Sequence, residues 1–203
     1  SPESINALTL LVNLLQYNPP GAPNFTGDDV LASFMKGESA MCMSWFSFMP
    51  SLNTEANPYK DKTGYFVVPG ETGQYISLGG QGISLSAYSK NQEAAMRFLE
   101  WFVKDEIQLK WAQLGGLSSN RAVTASQDFL NAEPFNEAFI QSLPFVKDFY
   151  NVPYYGGLLD VAQFNLHAAI KGTLTPKAAL DAIAREHVYI LSLGSNALGW
   201  ELY

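Results

Sequence analysis

The side chains able to do covalent or acid–base chemistry are few in this sequence, and they are not spaced as a catalytic set. His167 and His187 lie on separate predicted helices, and Glu186-His187 lacks the H-E-x-x-H spacing that puts two imidazoles on one helical face. Cys42 is the only cysteine, and it has no adjacent basic residue that would lower its pKa. We therefore predict no catalytic residue, no metal site and no enzyme.

Two acidic pairs and one glycine cluster have simpler explanations than chemistry. Asp28-Asp29 and Asp105-Glu106 fall in the first turns of predicted helices, where they offset the helix dipole. The glycines of Gly79–Gly82 are followed by a predicted strand, whereas a phosphate-binding loop leads into a helix N-terminus. The sequence thus predicts no cofactor.

Aromatic side chains offer a different kind of chemistry, which is stacking. Trp45 and Phe46 follow an apolar run at Ala40–Met43, and Tyr154-Tyr155 lie in a loop with two glycines. Sugars present C–H faces that stack on such rings, while amides and backbone groups take their hydroxyls, so a sugar site needs few charges. On residue type alone, burial in the core is the more frequent role for these rings, and both interpretations stay open at this point.

The elements around these aromatics predict an α/β chain. Ala40–Met43 has the length and apolar character of a central strand covered on both faces, and further strands are predicted at Gly64–Val68 and Ile83–Ala87. Helix starts are indicated at the following positions: Ser1-Pro2, Thr26, Asn91, Asp105, Pro134 and Thr175-Pro176. Glycines indicate where helices stop, at the following positions: Gly37, Gly115, Gly172 and Gly194.

Composition narrows the class of partner. The chain has 203 residues, 47% of them hydrophobic and 15% charged, which is typical of a globular protein with a large core. Its net charge is −7, and it has no cluster of basic residues, so a nucleic acid or an anionic membrane is an unfavourable partner. No apolar run has the length needed to cross a bilayer.

Several motifs occur in an order that resembles a known family. The stretch Phe34–Met41 with the following Trp45 is similar to an F-x-x-G-x-x-A-M strand with a trailing tryptophan, and Leu78–Ile83 and Ser89–Ala95 resemble a glycine pair and an S-K-N-x-E-A-A helix start. Later landmarks also match: Gly115-Gly116, Arg121, Gly172, Thr175-Pro176 and Ala179-Leu180. From about residue 1 to 192, the chain resembles the C-terminal half of the extracellular solute-binding proteins of sugar ABC transporters, the family of the maltose-binding proteins.

This resemblance implies a periplasmic-binding-protein-like, two-lobed α/β fold of class II that is rich in helix, with most of the N-terminal lobe missing from the chain. Residues 1–75 and 132–203 would form the C-terminal lobe, and 76–131 would return to the N-terminal lobe. The sugar would lie between the lobes. The family's contact positions fall on the following residues: Trp45, Gly80, Gln81, Tyr154 and Tyr155. Phe46, which follows Trp45 after the apolar run, is a further predicted ligand-binding residue.

The resemblance also implies a role and a set of partners. The protein would capture a sugar or polyol and deliver it to membrane permease subunits, in the periplasm or outside the cell, with a leader or lipid anchor upstream of Ser1. Gln81 stands where many members have tryptophan, and Val152 stands where an arginine often precedes the proline, so the sugar itself is left open. We expect the region from about Gln74 to Asn131 to pack against a second polypeptide, such as the missing lobe segment, or against another copy. The rival interpretation is a helical interaction or accessory domain that uses the aromatics as core.

Overall fold

A computed structural model describes residues 1–70, 73–148 and 152–198 of the chain, with side chains through Leu193. The described helices are α1 Pro2–Leu14, α2 Gly27–Met35, α3 Met49–Leu52, α4 Gln92–Phe102, α5 Asp105–Gln113, α6 Arg121–Thr124, α7 Gln127–Ala132, α8 Asn136–Ser142, α9 Tyr155–Ile170 and α10 Pro176–Leu198. The described strands are β1 Ile76–Ser77 and β2 Val146–Lys147. The chain divides into two units, one formed by Ser1–Ser33 with Tyr150–Tyr203 and the other by Phe34–Phe149. The predicted division between two lobes stays a prediction.

The first unit is a helical layer built on small residues. Leu8 of α1 packs with Ala169 of α9 and Ala179 of α10, and all three are buried. Alanines at a helix crossing let the backbones approach closely, so α9 and α10 run against each other over much of their length. His187 on α10 adds a 2.8 Å hydrogen bond between its Nε2 and the carbonyl oxygen of Leu158 on α9.

The second unit has its core among the helices α5 to α8. Ala112, Val123 and Phe129 form a buried cluster, with Phe139 packed beside them. The amide of Asn136, which is fully buried, donates a 2.7 Å hydrogen bond to the carbonyl oxygen of Phe129, so the polar side chain is partly satisfied inside the core. This core fixes the helical part of the unit.

The strands β1 and β2 form a two-stranded parallel sheet. Ile76 pairs with Val146 and Ser77 with Lys147, and the backbone N–H of Leu78 extends the ladder with a 2.8 Å bond to the carbonyl oxygen of Lys147. β1 leads directly into the glycine segment 79–82, so this pairing anchors the start of that segment.

The predicted buried strand at Ala40–Met43 is wrong. The described residues include no strand there, and the side chains of Met41 and Met43 are 74% and 73% exposed, with Cys42 half-buried between them. The segment keeps the alternating exposure of an extended backbone but has no described neighbour strand to accept its hydrogen bonds. An apolar run predicts extended structure locally, whereas a strand also needs a partner elsewhere in the molecule.

Two further predicted strands and one predicted helix stop are wrong, and one predicted helix start is correct but lacks its capping bond. Gly64–Val68 and Ile83–Ala87 are not in strands. The predicted stop at Gly194 is wrong, because α10 continues through it to Leu198; a glycine within a helix costs only about 1 kcal/mol, which neighbouring turns can offset. Asn91 precedes α4 as predicted, but its side chain makes no capping bond.

Three other helix boundaries agree with the local chemistry of the sequence, whereas α8 begins at Asn136, two residues after the start predicted at Pro134. The Ser1 hydroxyl accepts from the Ser4 N–H at the start of α1. Thr26 and Asp29 form a reciprocal capping box before α2, with distances of 2.8 and 3.3 Å. Gly172 follows α9 with a φ of 73°, the left-handed conformation that ends helices. None of the described helices combines the length and apolar content of a membrane span.

Candidate ligand-binding site

Trp45 lies at the end of the extended segment and before a short helical turn. Its backbone is extended, with φ −74° and ψ 147°, and Phe46–Phe48 then form a 3-10 turn. The Phe48 N–H donates a 3.0 Å bond to the carbonyl oxygen of Trp45 and closes the turn. This change of direction leaves the indole 54% exposed.

Two neighbours hold the exposed indole of Trp45. The ring of Phe48 lies with its centroid 6.2 Å from the indole centroid, tilted by 47°. The indole edge also lies beside Gly79, where an added Cβ would be 3.1 Å from Trp45 Cδ1 and 3.6 Å from Nε1. The lack of a side chain at Gly79 therefore lets the indole approach a few tenths of an ångström closer than a side chain there would allow. The glycine pair was noted in the sequence, but the contact of its first member with Trp45 is long-range and was missed.

Gly80 and Gln81 continue the same loop and are exposed. A Cβ built on Gly80 would meet nothing within 4 Å, in contrast to Gly79. The structure thus brings Trp45 next to the loop that carries Gly80 and Gln81. The free backbone and the Gln81 amide offer hydrogen-bonding groups at this surface.

Phe46 has a packing partner inside its own unit. Its ring meets Phe139 edge to face, with a centroid distance of 5.5 Å, and the side chain is half-buried. The ring therefore supports the base of the turn that carries Trp45. A role for Phe46 in contacting a ligand stays a prediction.

Tyr154 and Tyr155 lie in the first unit, apart in sequence from the other candidates. Tyr154 precedes α9 and Tyr155 is its first residue, and both are half-buried. The adjacent Gly156 has open space where a Cβ would stand. Asn151, part of the predicted loop, lies outside the described residues.

Two titratable groups in the second unit, the Cys42 thiol and the Tyr65 hydroxyl, have raised pKa values. Burial raises the pKa of the Cys42 thiol, which disfavours the reactive thiolate. Burial also raises the pKa of Tyr65, with smaller contributions from Glu133 and Cys42, and its hydroxyl is buried without a hydrogen-bond partner. The Tyr65 ring packs edge to face on Phe135 at 5.7 Å.

A separate surface cavity of about 200 Å³ lies beside α5 to α7. Asp105, Glu106 and Asp128 line it, and each of them stands in the first turn of its helix, where dipole compensation accounts for it. None of the predicted ligand-binding residues lines this cavity. Across the described residues, no three histidine, cysteine or acidic side chains are grouped as metal ligands.

Comparisons with known proteins place the chain in a family. The family model described as bacterial extracellular solute-binding protein matches residues 1–109, which is more than half of the 203. Among solved structures, maltose-bound MalE3 of T. maritima matches with a TM-score of 0.84 at 25% identity, over 94% of this chain and 51% of that one. The ABC substrate-binding protein Lmo0181 from Listeria monocytogenes, in complex with cycloalternan, matches with a TM-score of 0.73 at 20% identity, over 99% of this chain and 50% of that one.

These matches confirm the predicted fold class and its partial character. The matched structures are two-lobed and periplasmic-binding-protein-like, and this helix-rich chain spans about half of their length. The family model, the fold and the sequence motifs agree with one another. The chain belongs to the bacterial extracellular solute-binding proteins.

Proposed function

We propose that this chain is part of the substrate-binding component of a sugar ABC transporter, and that Trp45 stacks on the sugar. The observation that carries the proposal is the Trp45 indole, which is half exposed although Gly79 and Phe48 fix its position. The ring is held beside the loop of Gly80 and Gln81, whose polar groups can bond the hydroxyls of a ligand that stacks on it. Family membership supports a binding role, and the two matched structures carry maltose and cycloalternan.

The proposed ligand is a neutral mono- or oligosaccharide or polyol. Trp45, Tyr154 and Tyr155 would supply apolar faces from one lobe of an interlobe cleft, and the backbone at Gly80 and the Gln81 amide would bond hydroxyls from the other lobe. A chain with net charge −7 and no basic cluster is poorly suited to an anionic solute. The proposed contact residues are Trp45, Phe46, Gly80, Gln81, Tyr154 and Tyr155.

The proposed action is binding without catalysis. The protein would close over its ligand and present it to the membrane permease subunits, outside the cell or in the periplasm, with a lipid anchor as one means of retention. In this proposal residues 1–75 and 132–203 belong to one lobe and 76–131 to the other, and a segment outside the 203 residues completes the second lobe.

One observation favours the rival function, an accessory domain with core aromatics: Phe46 packs on Phe139 and Phe48 packs on Trp45. The two functions differ in their response to sugars. We expect a panel of mono- and oligosaccharides to change the tryptophan fluorescence of the native protein, and Trp45→Phe to remove that change. Tyr88→Phe, at an exposed aromatic that is not among the proposed contacts, serves as the matched control. A panel that leaves both fluorescence and calorimetric heat unchanged would favour the accessory domain.

A further inference from the structure

The turn that carries Trp45 and the helix α3 form one continuous helical segment. The Phe48 N–H donates a 3.0 Å bond to the carbonyl oxygen of Trp45. The N–H of Met49, the first residue of α3, then donates to the carbonyl oxygen of Phe46, and α3 ends at Leu52. Because these bonds join successive residues, a rotation of α3 is transmitted to the backbone that carries the indole.

A helix as short as α3 depends on tertiary contacts for its position. One turn supplies too few hydrogen bonds to be stable in isolation. Met49 and Leu52 are buried, and the Pro50 ring lies against Gly115, where an added Cβ would be 3.1 Å from both Pro50 Cβ and Cγ. Apolar contacts are non-directional, so they hold α3 against the core but leave its orientation to be fixed by polar contacts.

A polar contact of this kind lies at the C-terminal end of α3. Asn53 follows the helix with φ −97° and ψ 38°, and its side-chain Nδ2 donates a 2.8 Å hydrogen bond to Oε2 of Glu133. The two residues are 80 positions apart in the sequence. A carboxylate acceptor makes the bond stronger than one between neutral groups. The bond therefore ties the end of α3 to a distant part of the chain.

Glu133 is itself held by the core of the second unit. It directly follows α7, and its carbonyl oxygen accepts a 3.1 Å bond from the N–H of Asn136. Asn136 is fully buried, and its side-chain amide donates to the carbonyl oxygen of Phe129 in that core. The Glu133 carboxylate thus projects from a fixed base.

We propose that Glu133 is a positioning residue of the proposed sugar site, and that it orients the Trp45 indole through Asn53 and α3. Phe46 packs on Phe139 at the start of the same segment, so the Glu133 bond fixes the second end. The inference rests on the proposed stacking role of Trp45, and it deepens that role by naming a residue distant in sequence that sets the direction of the ring.

The test uses the native protein labelled with fluorotryptophan and records the fluorine NMR resonance of Trp45, which is identified by its loss in Trp45→Phe. In Glu133→Ala we expect this resonance to shift or broaden. The affinity for maltose, measured by calorimetry, should fall roughly 2- to 10-fold, as for the loss of one hydrogen bond. The melting temperature should change little, because the Asn53–Glu133 bond is exposed. A bond that only stabilises the fold would lower the melting temperature and leave the Trp45 resonance in place.

Further variants separate the hydrogen bond from other effects of the substitution. Glu133→Gln keeps a side-chain oxygen that can accept from Asn53, so it should restore the resonance and most of the affinity. Asn53→Ala should repeat the effects of Glu133→Ala, and the double variant should add nothing, because both substitutions remove the same bond. Glu137→Ala is the matched control: this exposed carboxylate accepts a 3.1 Å bond from Gln141 within α8, and its loss should leave the resonance and the affinity unchanged.

An unchanged Trp45 resonance in Glu133→Ala would overturn the proposal. A Glu133→Gln variant that behaves like Glu133→Ala, or additive effects of the Asn53 and Glu133 substitutions, would also overturn it. If Glu133→Ala fails to fold, Asn53→Ala decides the question, since Asn53 is exposed. The fluorine spectra are recorded without sugar. A resonance that moves in a protein that binds neither maltose nor another sugar would count against the proposed function and leave the positioning role standing.

Discussion

Replacement of Gly79 by alanine separates the proposed binding role of Trp45 from its packing role. The added Cβ would stand 3.1 Å from Trp45 Cδ1, inside the 3.4–4 Å of ordinary contact. The indole would have to move by several tenths of an ångström, away from the Gly79 backbone. Gly79 is not among the glycines with positive φ, so alanine fits the backbone there without strain.

Gly79→Ala should weaken sugar binding without lowering the stability of the fold. Stability should stay unchanged or rise by about 0.4–1 kcal/mol, because alanine restricts the unfolded chain. Sugar affinity should fall roughly 3- to 10-fold, or about 0.7–1.4 kcal/mol, as the stacking surface is displaced. Thermal unfolding and calorimetric titration of the native protein measure the two quantities, and the emission maximum of Trp45 reports the movement of the ring.

The matched control for Gly79→Ala is Gly82→Ala. Gly82 belongs to the same loop and also lacks a positive φ, but a Cβ there would meet nothing within 4 Å. We expect this variant to bind sugar as the unmodified protein does. Equal affinity in the Gly79 and Gly82 variants, with an unshifted Trp45 emission, would refute the reasoning about the indole contact.

Three further predictions concern the Trp45 ring, the buried Phe129 ring and the Cys42 thiol. Trp45→Ala should cost about 1–3 kcal/mol of sugar binding by calorimetry, with little change in the melting temperature; a variant that unfolds would favour a core role. Phe129→Ala should lower the free energy of unfolding by about 3–5 kcal/mol in denaturant titrations, because the ring is fully buried, and a loss below 1 kcal/mol would contradict the described core. Since burial raises the pKa of Cys42, its thiolate fraction at pH 8 should be below that of a free cysteine, and a thiol reagent should react with it more slowly; reaction as fast as that of glutathione would contradict the burial.

The sequence was most informative where the determining contacts are local. Ser1, Thr26 with Asp29, and Gly172 each act within one helical turn, and each occurs where its residue type predicts. The family motifs also predicted the fold class, which the solved structures confirm.

The errors arose where the determining contacts lie far apart in the chain. Ala40–Met43 has the composition of a buried strand, but pairing and burial depend on distant backbone that the described residues do not provide. Gly194 has the residue type of a helix stop, yet the helix continues through it. For the candidate site, Trp45 was predicted from its position after an apolar run, whereas its support by Gly79 could be found only in three dimensions.

The most direct test of the central claim is a crystal structure of the native protein with a bound oligosaccharide. The account predicts a sugar ring stacked on the Trp45 indole at van der Waals distance, with Gly79 behind the indole and the Gln81 amide within hydrogen-bonding distance of a hydroxyl. A sugar bound elsewhere with Trp45 left in solvent, or a Trp45 ring buried against protein in the complex, would contradict it.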